Sequence, residues 1–453
     1  MTEIWAEHAL LPDGWAERVL IRLEQGRIAA ITLGAEPAGH RVGILLPAPV
    51  NLHSHVFQRA MAGLTEARGP DGRDSFWTWR TWMYRFVEHL APDEVETIAA
   101  FVQMEMLEAG YGAVAEFHYL HHGSNGVPYD NRAEMSARIA AAADQTGIGL
   151  TLLPVLYTQG GCDGRPLEGG QRRFGNDFDG FAALMDGAER AIAALPEDAA
   201  IGIAPHSLRA VGPDHFAAAV DLAGARPIHI HIAEQTAEIE EVQAAHGARP
   251  VDWLMANHAV GPQWCLIHAT HMRPQETEAV AASHAVAGLC PITEANLGDG
   301  IFNGADYLSV GGRFGVGTDS NVQVTLAGEL RQLEYSQRLA RSARAVLAGE
   351  DRSTGRLLLE EAARGGAQAA ARDAGRLAEG ALADLLALDT EHPDLIGRNG
   401  DALLDSWIFG HARGAISDVW SAGRHMVRAG RHIRHEELTA RYKATLTGLL
   451  GRI

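Results

Sequence analysis

Lysine is almost missing from this chain: Lys443, close to the C-terminus, is the only one among 453 residues. Whatever chemistry the middle of the chain performs, no lysine performs it. Arginine supplies the remaining positive charge, and even so Lys plus Arg number 38 against 57 Asp plus Glu, a formal charge of -19. A surface built to wrap a polyanion would have to overcome that field, which argues against nucleic acid as a partner. Cysteine is scarce too. Cys162, Cys265 and Cys290 are too few and too scattered for a disulfide framework or a Cys-rich zinc cluster, and they suit a reducing compartment. Long apolar runs are lacking: nothing approaches the roughly 18 uninterrupted apolar residues of a membrane helix. The first fifteen residues carry Glu3, Glu7 and Asp13 where an export signal needs basic residues before an apolar core. A soluble, cytoplasmic protein with no membrane partner is expected.

What the chain has in excess is histidine, 22 residues. It also has a regular alternation of short β-like runs with helix-length stretches rich in Ala, Glu and Leu, the pattern of a parallel sheet with crossover helices. The runs are Ile44 to Leu52, Ala113 to Phe117, Ile148 to Leu156, Ala200 to Pro205, Pro227 to Ile232, Cys265 to His268, Ala285 to Cys290 and Arg313 to Gly317. Eight such units close a (β/α)8 barrel of the TIM type, an α/β fold. Outside them, Val19 to Leu23 and Arg27 to Leu33 read as a hairpin around Gln25-Gly26, and Ala383 to Leu388, Asp418 to Ser421 and His425 to Arg428 have the same texture. We therefore expect a small β-sandwich domain made from residues 1–46 and 373–433, a barrel over 47–372 and a closing helix over 434–453. The pairs Gly160-Gly161, Gly311-Gly312 and Gly365-Gly366 lack phosphate-loop spacing and read as turns, and Met104, Met106 and Leu107 read as a core-facing helix stripe.

In a barrel of this kind the C-terminal strand ends open onto one face, where the chemistry sits. Those ends carry His53 and His55 in NLHSH, Glu116 with His118 and Tyr119, Tyr157, His206, His231, His268, Glu294 with Asn296, and Asp319. His53 and His55, two apart on a strand, face the same side and can chelate one ion, although a core and a surface histidine would look the same. In RPIHIHIAEQ, His231 lies nearer the strand end and is the better ligand, while His229 fits a deeper, hydrogen-bonded layer. Glu234 could reach a substrate above a metal or serve only as a helix-start carboxylate. Asp319 in GVGTDSN offers a carboxylate to a metal and its water, or forms a turn. His268 in CLIHATH is a fourth imidazole or a proton-transfer group. His271, His121 and His122 read as solvated or locally bonded.

The combination of HSH after a first strand, HIAE, IHATH and GTDS in this order, flanked by split β segments and an ADLLALD strand, resembles the amidohydrolase superfamily across essentially the whole chain. Within it, NLHSHVFQRAMAGL, DSFWTWR, AEFHYLHH, HSLRAV, HIHIAEQ, CLIHATH and TEANLGDGIF are similar to the formimidoylglutamate deiminases of bacterial histidine breakdown. Binuclear members of the superfamily commonly bridge two metals through a carbamylated lysine, and no mid-chain lysine exists here. The resemblance thus implies one divalent ion, zinc first, with iron, manganese or cobalt compatible with the same donors. The implied ligands are His53, His55, His231 and Asp319, with a position left for water.

The resemblance further implies hydrolysis of N-formimino-L-glutamate to N-formyl-L-glutamate and ammonia. Asp319 and His268 would take a proton from water and Glu234 would deliver one to the departing nitrogen. Gln58 would bind near the reacting end, and Tyr119, His206, Arg209 and Arg80 would hold the substrate's carboxylates. Arg80 has a plainer reading as a peripheral residue on a packed or lid helix, since Phe76 to Phe86 is dense in aromatics. A dicarboxylic amidine meeting a chain of charge -19 needs local guanidinium donors to recover it. The alternatives are another mononuclear deaminase, acting on a purine, pyrimidine or other amidine, and more remotely a non-catalytic metal-stabilised binding protein. A homodimer is expected.

Overall fold

The computed structural model describes residues 2–66, 76–410 and 412–453. Asp74 and Ser75 of the DSFWTWR string, and the side chains of Phe76, Trp77 and Thr78, lie outside what is described. Two parallel sheets form the centre. One runs through Val50–Ser54, Ala113–His118, Gly149–Leu156 and the split pair Ala200–Ile201 and Ala204–Pro205. The other runs through Ile228–Ile232, Trp264–His268, Val286–Leu289 and Arg313–Val316. Parallel bridges between Ile203 and Ile228 on one side and between Ser54 and Asp319 on the other join the sheets into a closed ring. At the second seam Asp319 N donates to His53 O and His55 N donates to Asp319 O, both at 2.9 Å.

The strand interiors are buried on both faces, which is why they read as near-continuous apolar runs rather than as alternations. Two runs differ from expectation. Ile44 to Leu52 is two strands: His40–Pro47 belongs to the outer sheet and Val50–Ser54 to the barrel, and Ala48-Pro49 carries the chain between them. Proline has no N–H for a ladder, so the break falls where pairing must change partners. Ala200 to Pro205 is interrupted at Gly202, whose added β-carbon would stand 2.7 Å from the Pro227 carbonyl oxygen.

The N- and C-terminal segments meet in one eight-stranded sheet. Its joint is the antiparallel pairing of Leu385–Leu388 with His40–Pro47. The sheet rolls over on itself: Arg27 bridges Leu382, and Ile28 N donates to Ala381 O at 2.9 Å. The roll encloses Ile4, Ile21, Val42, Leu385 and Trp420 as a core separate from the barrel's. Its first strand, Thr2–Leu11, falls within the 1–46 span expected for this domain but is not among the β runs picked out from the sequence. The last helix, His435–Leu450, packs on Pro92–Glu108, with Tyr442 stacked on Phe101 at 4.0 Å between ring centroids.

Gly365 and Gly366 are not a turn. They lie inside the helix Thr354–Ala369, where a β-carbon on Gly365 would collide with the Phe314 carbonyl and one on Gly366 would stand 2.9 Å from Val50 O. Two small residues let this helix approach the barrel strands closely. Among the described residues no helix is long and apolar enough to cross a membrane.

Candidate active site

His53 and His55 end the first barrel strand, His231 ends the fifth and Asp319 follows the eighth. Closure of the ring brings them together. His231 Nε2 stands 3.1 Å from His53 Nε2, and Asp319 Oδ1 stands 3.4 Å from His53 Nε2 and 3.3 Å from His55 Nε2. Bonds of about 2.0–2.1 Å from a tetrahedral ion would separate its ligands by roughly 3.3 Å. The ring orientations are fixed from behind: His55 Nδ1 donates to Phe117 O at 2.9 Å and His231 Nδ1 donates to His206 O at 3.1 Å. Each of these imidazoles therefore presents an unprotonated Nε2 to the centre. Burial pushes His53 down to about 3 and lowers His55 and His231 as well. Burial works against charge on Asp319, yet the hydrogen bond from His53 and the imidazoles of His53, His55 and His268 hold its carboxyl below the usual range. Three buried imidazoles and a carboxylate whose nitrogen and oxygen atoms converge at 3.1–3.4 Å are the donor set of a divalent cation, so these residues fit one.

Beside this cluster lies a pocket with a cavity volume of about 60 Å³. Its lining includes Gln58, Arg80, Tyr119, Tyr157, His206, Arg209, Glu234 and His268, together with His55, His231 and Asp319, whereas Glu116, His118, Glu294 and Asn296 from the strand ends do not line it. Gln58 Nε2 donates to Tyr119 Oη at 2.6 Å, and Arg80 donates to Tyr157 Oη at 3.2 Å while its guanidinium lies 5.2 Å from the Tyr84 ring centroid. His268 Nε2 is 3.8 Å from Glu234 and 4.0 Å from Asp319, and its Nδ1 is 3.2 Å from Glu294. Burial opposes charge on His268, but Glu234, Glu294 and Asp319 together raise it to about 10. Glu234 is raised in turn, chiefly by burial.

The backbone is strained at these points. His268 and Asp319 have φ of 66° and 46°, and Ala233, before Glu234, has φ of 52°. Such conformations cost of order 1–3 kcal/mol each and persist where surrounding contacts enforce them. Around Asp319 and Ala233 four residues that the sequence does not single out supply such contacts. Asn51 and Thr318 exchange hydrogen bonds of 2.7 and 3.1 Å, and Asn321 Nδ2 donates to Ser54 Oγ at 3.1 Å, tying the eighth strand end to the first. Glu238 accepts from Ala233 N and Glu234 N at 3.2 and 2.9 Å.

The histidines set aside from the site are locally bonded: His229 to Ala369 O, His121 to Val155 O, His122 to Gly175 O and His271 to Asp299 O, at 2.7–2.8 Å.

The sequence model of the amidohydrolase family matches residues 44–426. The chain belongs to the amidohydrolase family. A second model, the N-terminal domain of formimidoylglutamate deiminase HutF, matches residues 1–41. Among curated amidohydrolases, the chain is 48% identical to the formimidoylglutamate deiminase of Pseudomonas aeruginosa, over 99% of this chain and 100% of that one. It is 26% identical to the 5-methylthioadenosine/S-adenosylhomocysteine deaminase of Natronomonas pharaonis, over 83% and 81% of the two chains. Among solved structures it superposes on an amidohydrolase from Brucella melitensis with a TM-score of 0.95 at 48% identity, covering 99% and 100%. The zinc-complexed atrazine chlorohydrolase of Arthrobacter aurescens, at 21% identity and a TM-score of 0.85 over 98% and 100%, shares the amidohydrolase fold.

What sequence reasoning missed in this amidohydrolase site is mostly its walls. Trp79, Met83, Tyr84, Phe174 and Leu297 line the pocket. Trp79, Met83 and Tyr84 recur at helical spacing along Phe76–His89, so that helix does face the pocket with Arg80.

Proposed function

We propose that the chain is a metal-dependent formimidoylglutamate deiminase of histidine degradation, hydrolysing N-formimino-L-glutamate to N-formyl-L-glutamate and ammonia. The observation that carries this reading is that one pocket presents two arginines, Arg80 and Arg209, beside a metal-type His-Asp cluster and a Glu-His pair. A substrate with two carboxylates and one amidine has groups for each. The full-length likeness to a curated deiminase of that name supports it.

His53, His55, His231 and Asp319 would hold one divalent ion, with zinc the first choice. When bound, such an ion acidifies water and makes a nucleophile available near neutral pH. Asp319, helped by His268, would take the proton that water gives up. Glu234, 3.8 Å from His268 and raised by burial, delivers a proton to the amidine nitrogen and takes back the one left on the added hydroxyl as the carbonyl forms and ammonia leaves. Gln58, held by Tyr119, orients the reacting end. Tyr119, His206, Arg209 and Arg80 grip the carboxylates, and the aromatic walls exclude water.

An ammonia-release assay on N-formimino-L-glutamate tests this directly. The rival within the family is a purine deaminase, whose ring could stack on Tyr84 or Tyr157. Faster release from 5-methylthioadenosine or guanine than from N-formimino-L-glutamate overturns the assignment.

A further inference from the structure

A second metal-type cluster lies outside the active-site pocket, on the rolled sheet. It draws on both chain segments: His40 opens the strand His40–Pro47, Asp418 lies on Ile416–Ser421 and His425 on Arg424–Arg428. His40 Nε2 is 3.1 Å and His425 Nε2 2.7 Å from the same carboxylate oxygen, Asp418 Oδ1, and the three atoms all fall within 4.8 Å of one another. Both separations are somewhat shorter than the roughly 3.3 Å expected between ligands on one tetrahedral ion, so an ion would replace the two hydrogen bonds and spread the three atoms by a few tenths of an ångström.

The cluster is held in place before any ligand arrives. Trp420 stacks on the His425 ring, 4.3 Å between centroids and 17° between planes, and meets the His40 ring edge-on at 5.5 Å. Trp420 itself is anchored in the core of the sheet. Asp418 is held ionised: burial opposes its charge, but the hydrogen bonds from His425 and Ser417 and the nearby His40 keep its carboxyl below the usual range. Access is open from one side, since the His40 side chain is 40% exposed, that of His425 18% and that of Asp418 10%. Three protein donors with a solvent-facing side leave room for water to complete the coordination.

We propose that His40, Asp418 and His425 form a second site for a divalent transition-metal ion, one that clips the N-terminal segment of the small sheet to the C-terminal segment. Two imidazoles and one carboxylate select zinc, copper or nickel over magnesium and calcium, which prefer all-oxygen ligands. The residues it joins are 378 positions apart, so the ion closes a very long loop and stabilises the folded sheet by mass action. None of the three lines the pocket, so the site is structural and separate from catalysis.

The test is zinc stoichiometry on the full chain. Purified protein is equilibrated with free Zn2+ by dialysis, and bound zinc is measured alongside the melting temperature. The proposal expects two equivalents in the native protein and one in His40→Gln and His425→Gln. It also expects a zinc-dependent rise in melting temperature that is reduced in both variants, whose turnover matches that of the native protein. His40 lies at the surface, so its replacement leaves folding intact; Asp418→Asn, which keeps the shape and removes the charge, serves as a third variant. One equivalent in the native protein, or two in all three variants, overturns the proposal and shows a hydrogen-bonded clasp only.

Discussion

Glu234 is the residue on which the chemistry can be tested most sharply. It lies 3.8 Å from His268 and outside the cluster of His53, His55, His231 and Asp319. Glu234→Gln keeps the shape and removes the transferable proton, so turnover should fall by about 10²–10⁴-fold while metal content is unchanged. Loss of metal on elemental analysis of the variant would show Glu234 to be a ligand instead. Arg209→Gln should raise KM by roughly 10–100-fold with a smaller drop in kcat, the cost of about 1.5–3 kcal/mol for a lost charge-assisted hydrogen bond. Steady-state kinetics decide it, and an unchanged KM removes Arg209 from substrate binding. At this scale the strand-end histidines and acids were legible because polar residues closing apolar runs stand out. Asn51, Thr318, Asn321 and Glu238 were not, since their roles come from pairings such as Asn51 with Thr318, 267 residues apart, that no local pattern announces.

Among the elements, two joints carry the arrangement. The barrel meets the small sheet through a buried charge network: Arg372 binds Asp384 and Asp198, and Arg424 binds Asp198 as well, at 2.6–2.9 Å. Burial opposes the Asp198 charge, but Arg424 and Arg372 hold its carboxyl below the usual carboxylate range. A depressed carboxyl stabilises the fold fully above its unfolded value and loses that contribution as pH falls through the folded one. Asp198→Asn should therefore cost roughly 3 kcal/mol near neutrality, and the loss relative to the native chain should shrink below about pH 4. Denaturation at several pH values checks this; a pH-independent difference contradicts it. At the second joint Gly365→Ala should destabilise by about 1–3 kcal/mol, because its β-carbon meets the Phe314 carbonyl. Chemical denaturation measures it, and an unchanged midpoint contradicts the close packing. The barrel runs were legible since buried parallel strands are uninterruptedly apolar. The split of Ile44 to Leu52 between two sheets and the helix around Gly365 were not, because both depend on which backbone lies opposite.

For the whole molecule, the eight-strand closure is what turns a scattered sequence into a site. His53 and Asp319 touch only because the last strand returns to the first at the Ser54–Asp319 bridge. The dependence on metal follows from the same closure: chelation should abolish turnover, and added zinc should restore it. On the proposed reading, a chain of charge -19 recovers a dicarboxylate through the two pocket arginines, Arg80 and Arg209. The decisive measurement is ammonia release by metal-loaded protein from N-formimino-L-glutamate beside 5-methylthioadenosine and guanine, with and without chelator. The account predicts kcat/KM at least about a hundredfold higher for N-formimino-L-glutamate, from two charge-assisted contacts of roughly 1.5–3 kcal/mol each, and no activity after chelation. A preference for either purine substrate, or turnover that survives removal of the metal, contradicts it.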